Sequence, residues 1–168
     1  MATTYLLDAN VFIQAKNSYY AFPICPGFWA SLLGHHKPGH LCSIDYVRQE
    51  LLRLNDELAD WVKDEVPAEY FCSTQVDEVR AKYRKIIIWS QRNPQFTDPA
   101  KADFAASADG WLVAYAWTNN MVIVTQEQLR PDVKIRIPIP NVCKEFGVRY
   151  TDTFLMLEAL RIKFDWND

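Results

Sequence analysis

The hydrophobic pattern of the chain alternates between short apolar runs and longer amphipathic stretches. Tyr5-Leu6-Leu7 is a short apolar run that meets an acid at Asp8, and it predicts a first, central strand over residues 4–7. Residues 9–16 then predict a short helix or turn. Phe28, Trp29, Leu32 and Leu33 fall at helical spacing within 26–36. A second strand is expected over 40–44, followed by a helix over 46–54 with Val47, Leu51 and Leu54 as its apolar stripe. Another helix is expected over 58–66, ended by Pro67. Tyr70-Phe71-Cys72 reads as a short strand or turn.

A long helix is expected over 74–93, where Ile86-Ile87-Ile88-Trp89 points to burial nearly all round. Thr97 or Asp98 opens the next helix, with Pro99 at its first turn. Leu112, Val113 and Ala116 form one helix face. Met121-Val122-Ile123-Val124-Thr125 is the clearest strand in the sequence. A short strand is expected at 134–137, a helix over 139–148 ended by Gly147, and a last helix capped by Thr151 with Phe154, Leu155, Leu157, Leu160 and Phe164 on its apolar side. Strands alternating with helices imply a parallel sheet covered by helices, in one domain spanning 1–168.

Composition narrows the class. The chain has 168 residues, 49% of them hydrophobic, which is enough for a sizeable core. The net charge of -3 lacks the broad basic excess of a passive nucleic-acid coat. Cys25, Cys42, Cys72 and Cys143 are scattered without a C-x-x-C pair, and read as reduced thiols in a cytoplasmic protein. No leader and no stretch long enough to span a membrane is visible, so a membrane location is not expected. His35, His36 and His40 lie beside Cys42, but Lys37-Pro38-Gly39 between them reads as a turn, which weighs against zinc.

The chemistry worth following is carried by acids. Asp8 follows a buried strand, where a carboxylate is costly unless paired or metal-bound. Glu50 lies in the early turns of a helix, Asp109 at a helix start, and Glu127 just beyond the strand that ends at Thr125. Each has a plain alternative. Asp8 or Asn10 could cap a helix, Glu50 could pair with Arg48 or Arg53, Asp109 could be a first-turn acid, and Glu127 an exposed loop residue. Together, four acids at comparable ends of elements suit an oxygen-rich Mg²⁺ or Mn²⁺ site. Arg80, Lys82, Arg84 and Lys85 form a charged helix face that reads as solvated and also offers cations for RNA phosphates.

In four stretches, 6–13 (Leu-Leu-Asp-Ala-Asn-Val-Phe-Ile), 49–52 (Gln-Glu-Leu-Leu), 109–116 (Asp-Gly-Trp-Leu-Val-Ala-Tyr-Ala) and 122–127 (Val-Ile-Val-Thr-Gln-Glu), the sequence resembles the PIN-domain ribonuclease family. Ile139-Pro140-Asn141-Val142-Cys143, followed by Phe146-Gly147-Val148, looks like an uncharacterised prokaryotic PIN-like subgroup related to toxin–antitoxin toxins. The resemblance implies a three-layer α/β/α fold with a central, mostly parallel sheet. It also implies a metal-dependent endoribonuclease acting on RNA phosphodiester bonds, with an antitoxin protein and a second copy of the chain as candidate partners.

On that resemblance, Asp8, Glu50, Asp109 and Glu127 are the expected catalytic and Mg²⁺- or Mn²⁺-binding residues. Asn10 and Thr125 would orient the carboxylates, and Arg80, Arg84 and Lys85 would contact RNA. The departure is at Glu127, where the family usually has Asp. That substitution favours the first alternative, a catalytically silent PIN-like module binding RNA or protein. The second alternative is a different α/β metal-dependent phosphohydrolase, which Asp8-Ala9-Asn10 argues against because it lacks the second Asp of the haloacid-dehalogenase pattern.

Overall fold

In a computed structural model that describes residues 2–166, the chain forms a five-stranded sheet covered by helices. The elements in order are β1 (Tyr5–Leu7), α1 (Ala9–Asn17), α2 (Pro26–His36), β2 (Leu41–Ile44), α3 (Asp45–Leu52), α4 (Glu57–Asp64), β3 (Phe71–Cys72), α5 (Asp77–Arg92), α6 (Asp98–Ala106), α7 (Asp109–Asn119), β4 (Val122–Val124), α8 (Ile139–Phe146), β5 (Tyr150–Thr151) and α9 (Thr153–Ala159). The strand order is β3-β2-β1-β4-β5, and every pairing is parallel.

This topology follows from which strands are apolar throughout. Leu6, Leu7, Leu41, Ile44, Ile123 and Val124 are fully buried, as expected of central strands covered on both faces. Tyr5 pairs with Leu41 on one side and with Val122 on the other, so β1 is the middle strand. The edge strands β3 and β5 have two residues each, which limits the unpaired backbone they expose. One set of helices, α1, α3 and α4, packs together, and another, α5, α7 and α8, packs together. Gly110, in the first turn of α7, packs against side chains of both α5 and α6: a Cβ there would meet Tyr83 at 3.0 Å and Phe104 at 3.3 Å.

Strand order also locates the place where a ligand would bind. From β1 the chain moves outward through β2 to β3, then returns to the other side of β1 for β4 and β5. The direction reverses between β1 and β4. In open parallel sheets, the crevice beyond the carboxyl ends of the strands at such a reversal is where ligands bind.

Several local expectations are corrected. Residues 134–137 form no strand. Ile135 is exposed, Ile137 is buried, and the segment is held by Thr97 donating its amide to the Lys134 carbonyl. The fifth strand is instead Tyr150–Thr151, so the last helix is capped not by Thr151 but by Asp152, whose carboxylate accepts from the Leu155 amide at 2.8 Å. Phe154 and Leu155 of that helix face outward, and Met156 and Leu157 face the core. In α5 only Ile86 of the four-residue apolar run is fully buried, and Ile88 is exposed, because the helix packs on one side only. The helix after β2 begins at Asp45, which places Glu50 in its last turns rather than its first.

Candidate active site

Asp8 occupies the position between β1 and α1. Its backbone is extended, its amide donates to the Val124 carbonyl at 3.0 Å, and its carbonyl accepts from the Val11 amide at 3.1 Å. The side chain does not cap α1; it is 2% exposed and accepts a hydrogen bond from the Thr125 hydroxyl at 3.1 Å. The residues that directly follow β1 and β4 thus meet across the reversal point. Thr125 is itself buried, and its hydroxyl oxygen accepts from the Glu127 amide at 3.2 Å, which folds the chain after β4 back toward Asp8.

Glu50 reaches the same region from α3. One carboxylate oxygen accepts from the Ala108 amide at 3.0 Å, just ahead of α7. An anion is favoured there by the unsatisfied amides of the helix start. Asp109 is the first residue of α7, and its amide donates to the Ser107 hydroxyl at 3.3 Å. Glu127 accepts from the Ile139 amide at 2.7 Å and forms an ion pair with Arg136.

The electrostatics tie the four acids together. Burial is the main reason the Asp8 carboxyl is pushed up to about 7; Glu127 and Glu50 raise it further, while the Thr125 hydroxyl and the Ala9 amide oppose them. Asp109 is pushed well above the usual carboxylate range, again first by burial, then by Asp8, Glu127 and Glu50, with Arg136 acting the other way. Like charges crowded into a poorly solvated place favour the protonated form. The cluster is therefore short of positive charge.

Arg136 is the residue that sequence reasoning missed. It lines an open groove of about 640 Å³ together with Glu127, Arg130 and Asn10, and it lines a second cleft together with Asp109 and Ser107. It thus stands between two of the acids. The available signal was faint, since Lys134 and Arg136 alternating with Ile135 and Ile137 read as the solvent face of a strand.

Of the cations expected to meet RNA, Arg80, Arg84 and Lys85, none lines the groove beside Glu127 or the cleft beside Asp109. Arg80 pairs with Asp77 at 3.2 Å, Arg84 is exposed, and Lys82 sits 4.1 Å from the Trp117 ring centre, with Lys85 at 5.9 Å. Trp117 is eight residues along α7 from Asp109, roughly 12 Å at helical rise. Asn10 is exposed on the wall of the groove.

Whether this donor set suits a divalent ion can be judged from its chemistry. Among the described residues, no group of three or more His, Cys, Asp or Glu side chains is arranged to hold a metal ion. Glu50 and Glu127 are already engaged, one by a helix amide and the other by Arg136 and the Ile139 amide. Asp8 and Asp109 remain as hard oxygen donors whose mutual repulsion a cation would relieve. Mg²⁺ characteristically uses one or two carboxylates and keeps several waters. Two aspartates fit that pattern, and a four-carboxylate cage does not.

A helix-flanked, five-stranded parallel sheet with acids gathered beyond its central strands defines a three-layer PIN-like α/β fold. The chain belongs to the family described as Domain of unknown function (DUF4411), whose model matches residues 5–164. The crystal structure of FitAcB from Neisseria gonorrhoeae is similar in fold, with a TM-score of 0.51 and 15% identity, covering 88% of this chain and 96% of that one. No curated protein matches the sequence. Among the described residues, no helix is long and apolar enough to cross a membrane.

Proposed function

We propose that the chain is a metal-dependent endoribonuclease that hydrolyses RNA phosphodiester bonds. The observation that carries this reading is Asp8: an enclosed carboxylate at the reversal point of a parallel sheet, near Glu50, Asp109 and Glu127, with Asp8 and Asp109 both pushed above the usual carboxylate range by burial and by the neighbouring acids. Such an arrangement is costly to the fold and is relieved by a cation. Asp8 and Asp109 would hold Mg²⁺ or Mn²⁺. Bound there, the ion would supply an activated water and offset charge on the scissile phosphate.

The chain's own residues do the rest. Thr125 fixes the Asp8 carboxylate by its hydroxyl, and Ala108 fixes Glu50 by its amide. Such supporting hydrogen bonds keep ligands in one orientation. Arg136, on the groove wall, would exchange Glu127 for a substrate phosphate. Asn10 offers an amide on the same wall. The α5 cations would add sequence-independent attraction at longer range. The family resemblance extends the reading to a toxin paired with an antitoxin protein.

The test is cleavage of single-stranded and structured RNA by purified protein with Mg²⁺ or Mn²⁺, and its arrest by chelator. Asp8→Asn and Asp109→Asn should each lose on the order of a hundredfold, about 3 kcal/mol of barrier. Glu127→Gln should lose less. Equal activity in wild type and Asp8→Asn would identify a contaminant and reject the proposal. A second reading is supported by the engagement of Glu127 with Arg136 and by the lack, among the described residues, of a three-ligand group: a PIN-like module that binds RNA without cutting it. Metal-independent RNA binding with no cleavage would select it.

A further inference from the structure

The groove beside Glu127 does not end at its charged residues. Gln14, Ser18 and Gln126 line it, and the same three residues line a small adjoining pocket of about 60 Å³. The far side of that pocket is aromatic. Tyr19 and Phe154 border it; they are 76% and 51% exposed, and their rings meet edge to face with centres 6.4 Å apart. Gln126 is fixed at the junction, its amide nitrogen donating to the Thr153 hydroxyl at 2.7 Å. The two cavities make one trough with a charged end, an amide-lined middle and an aromatic end.

Each part suits a different part of one ligand. Arg130 and Arg136 at the charged end suit a phosphate. The carboxamides of Asn10, Gln14 and Gln126 each present a donor and an acceptor, as base edges do. Exposed rings suit the face of a base, and such stacking is the usual platform for single strands. In a duplex those faces are hidden in the helical stack, and an A-form major groove is too narrow for side chains to read.

We propose that Tyr19 and Phe154 form a base-binding subsite that seats an unpaired base of single-stranded RNA whose backbone follows the trough to Arg136 and Glu127. This subsite rests on the ribonuclease reading for its substrate class, but it makes a separate demand on the molecule. The rings bind the base by contact with its face. The amides between them and the acids set which base is preferred. Cleavage should therefore favour unpaired segments.

The experiment measures binding by fluorescence anisotropy, in chelator, of a labelled single-stranded RNA of about a dozen nucleotides. It is compared with the same RNA annealed to its complement and with a version carrying abasic positions. Manganese-dependent cleavage is followed in parallel. Tyr19→Ala and Phe154→Ala should each bind the single strand about tenfold more weakly. Tyr19→Phe and Phe154→Tyr should stay close to wild type, because an aromatic ring is kept. Neither alanine variant should lose further affinity on the abasic RNA.

Alanine variants that bind and cut the single strand as wild type does would overturn the subsite and leave the nuclease reading standing. Binding that depends on Tyr19 and Phe154 without any cleavage would keep the subsite and reject the nuclease. Absence of both binding and cleavage would reject both. Unchanged RNA affinity with a shift from dimer to monomer in the alanine variants would assign the patch to a protein partner and overturn the proposal.

Discussion

Replacing Asp8 by Asn should stabilise the metal-free protein, and the gain should grow with pH. The carboxyl is 2% exposed, and burial with Glu127 and Glu50 pushes it from 3.8 up to about 7. Below the unfolded value it is protonated in both states and contributes nothing to the difference. As pH rises toward 7, the unfolded chain releases its proton while the folded chain retains it, so stability falls. Above 7 the folded chain carries the full cost of the ionised group, about 4 kcal/mol. Asn is close in shape and its carbonyl can still accept from Thr125, so the substitution itself should cost about 1 kcal/mol.

The expected result is little difference near pH 4 and a gain of about 3 kcal/mol near pH 8. Removing the Asp8 charge also lowers the repulsion felt by Asp109, which moves the result in the same direction. Urea unfolding in chelator, followed by tryptophan fluorescence across that pH range, measures it. Parallel pH curves for the two proteins would refute the reasoning, as would a variant less stable at pH 8. In the same series, Mg²⁺ or Mn²⁺ should raise the melting temperature of wild type more than that of the variant, since an ion stabilises only the state that binds it.

Two other substitutions or treatments read different parts of the site. Arg136→Ala should destabilise the protein by about 1 kcal/mol near pH 8, because Glu127 is largely buried and loses its cation; Arg136→Lys should restore part of this, and urea midpoints equal to wild type would show that the pair carries nothing. The Cys72 thiol is held down to about 6, chiefly by a hydrogen bond from Cys42, with Tyr115 and His36 acting the same way against the cost of burial. Its thiolate should thus be present at neutral pH and lost as pH falls below about 6, so Cys72 should be the first cysteine alkylated by iodoacetamide near pH 7; peptide mapping that finds another cysteine first would contradict it.

The parts of the fold visible in the sequence were those fixed by local pattern. Leu6-Leu7 and Val122-Ile123-Val124 are apolar on both faces, which only a central parallel strand requires, and both are central strands. Pro67, Pro99 and Gly147 mark helix ends for reasons confined to their own backbone: Gly147 takes φ 69° just past α8. What pattern could not show was pairing at the edge. Tyr150–Thr151 becomes a strand because Ile123 and Thr125 donate their amides to the carbonyls of Arg149 and Thr151, a decision made by the neighbour rather than by the two residues themselves. Residues 134–137 alternate as a strand would, yet have no neighbour to pair with in the sheet.

The site divides along the same line. Asp8 stood out because a carboxylate directly after a buried strand is expensive, and expense is visible in sequence. Which partners share that cost is a property of three-dimensional convergence. Asp8 and Glu127 come together because β1 and β4 are neighbours, Glu50 because α3 ends near the start of α7, and Arg136 because the loop after β4 doubles back through Gln95, which donates to the Pro131 and Val133 carbonyls at 2.8 Å. Of the cations easiest to see in the sequence, those of α5, Lys82 and Lys85 lie over Trp117 and Arg80 pairs with Asp77, while the cation paired with Glu127 comes from an irregular segment. A charge next to a buried acid changes the energy of the fold far more than a charge on a solvated helix face. The informative positive residue is therefore Arg136, held in the loop against a largely buried acid, and charge density along the chain is a poor guide to where positive charge acts.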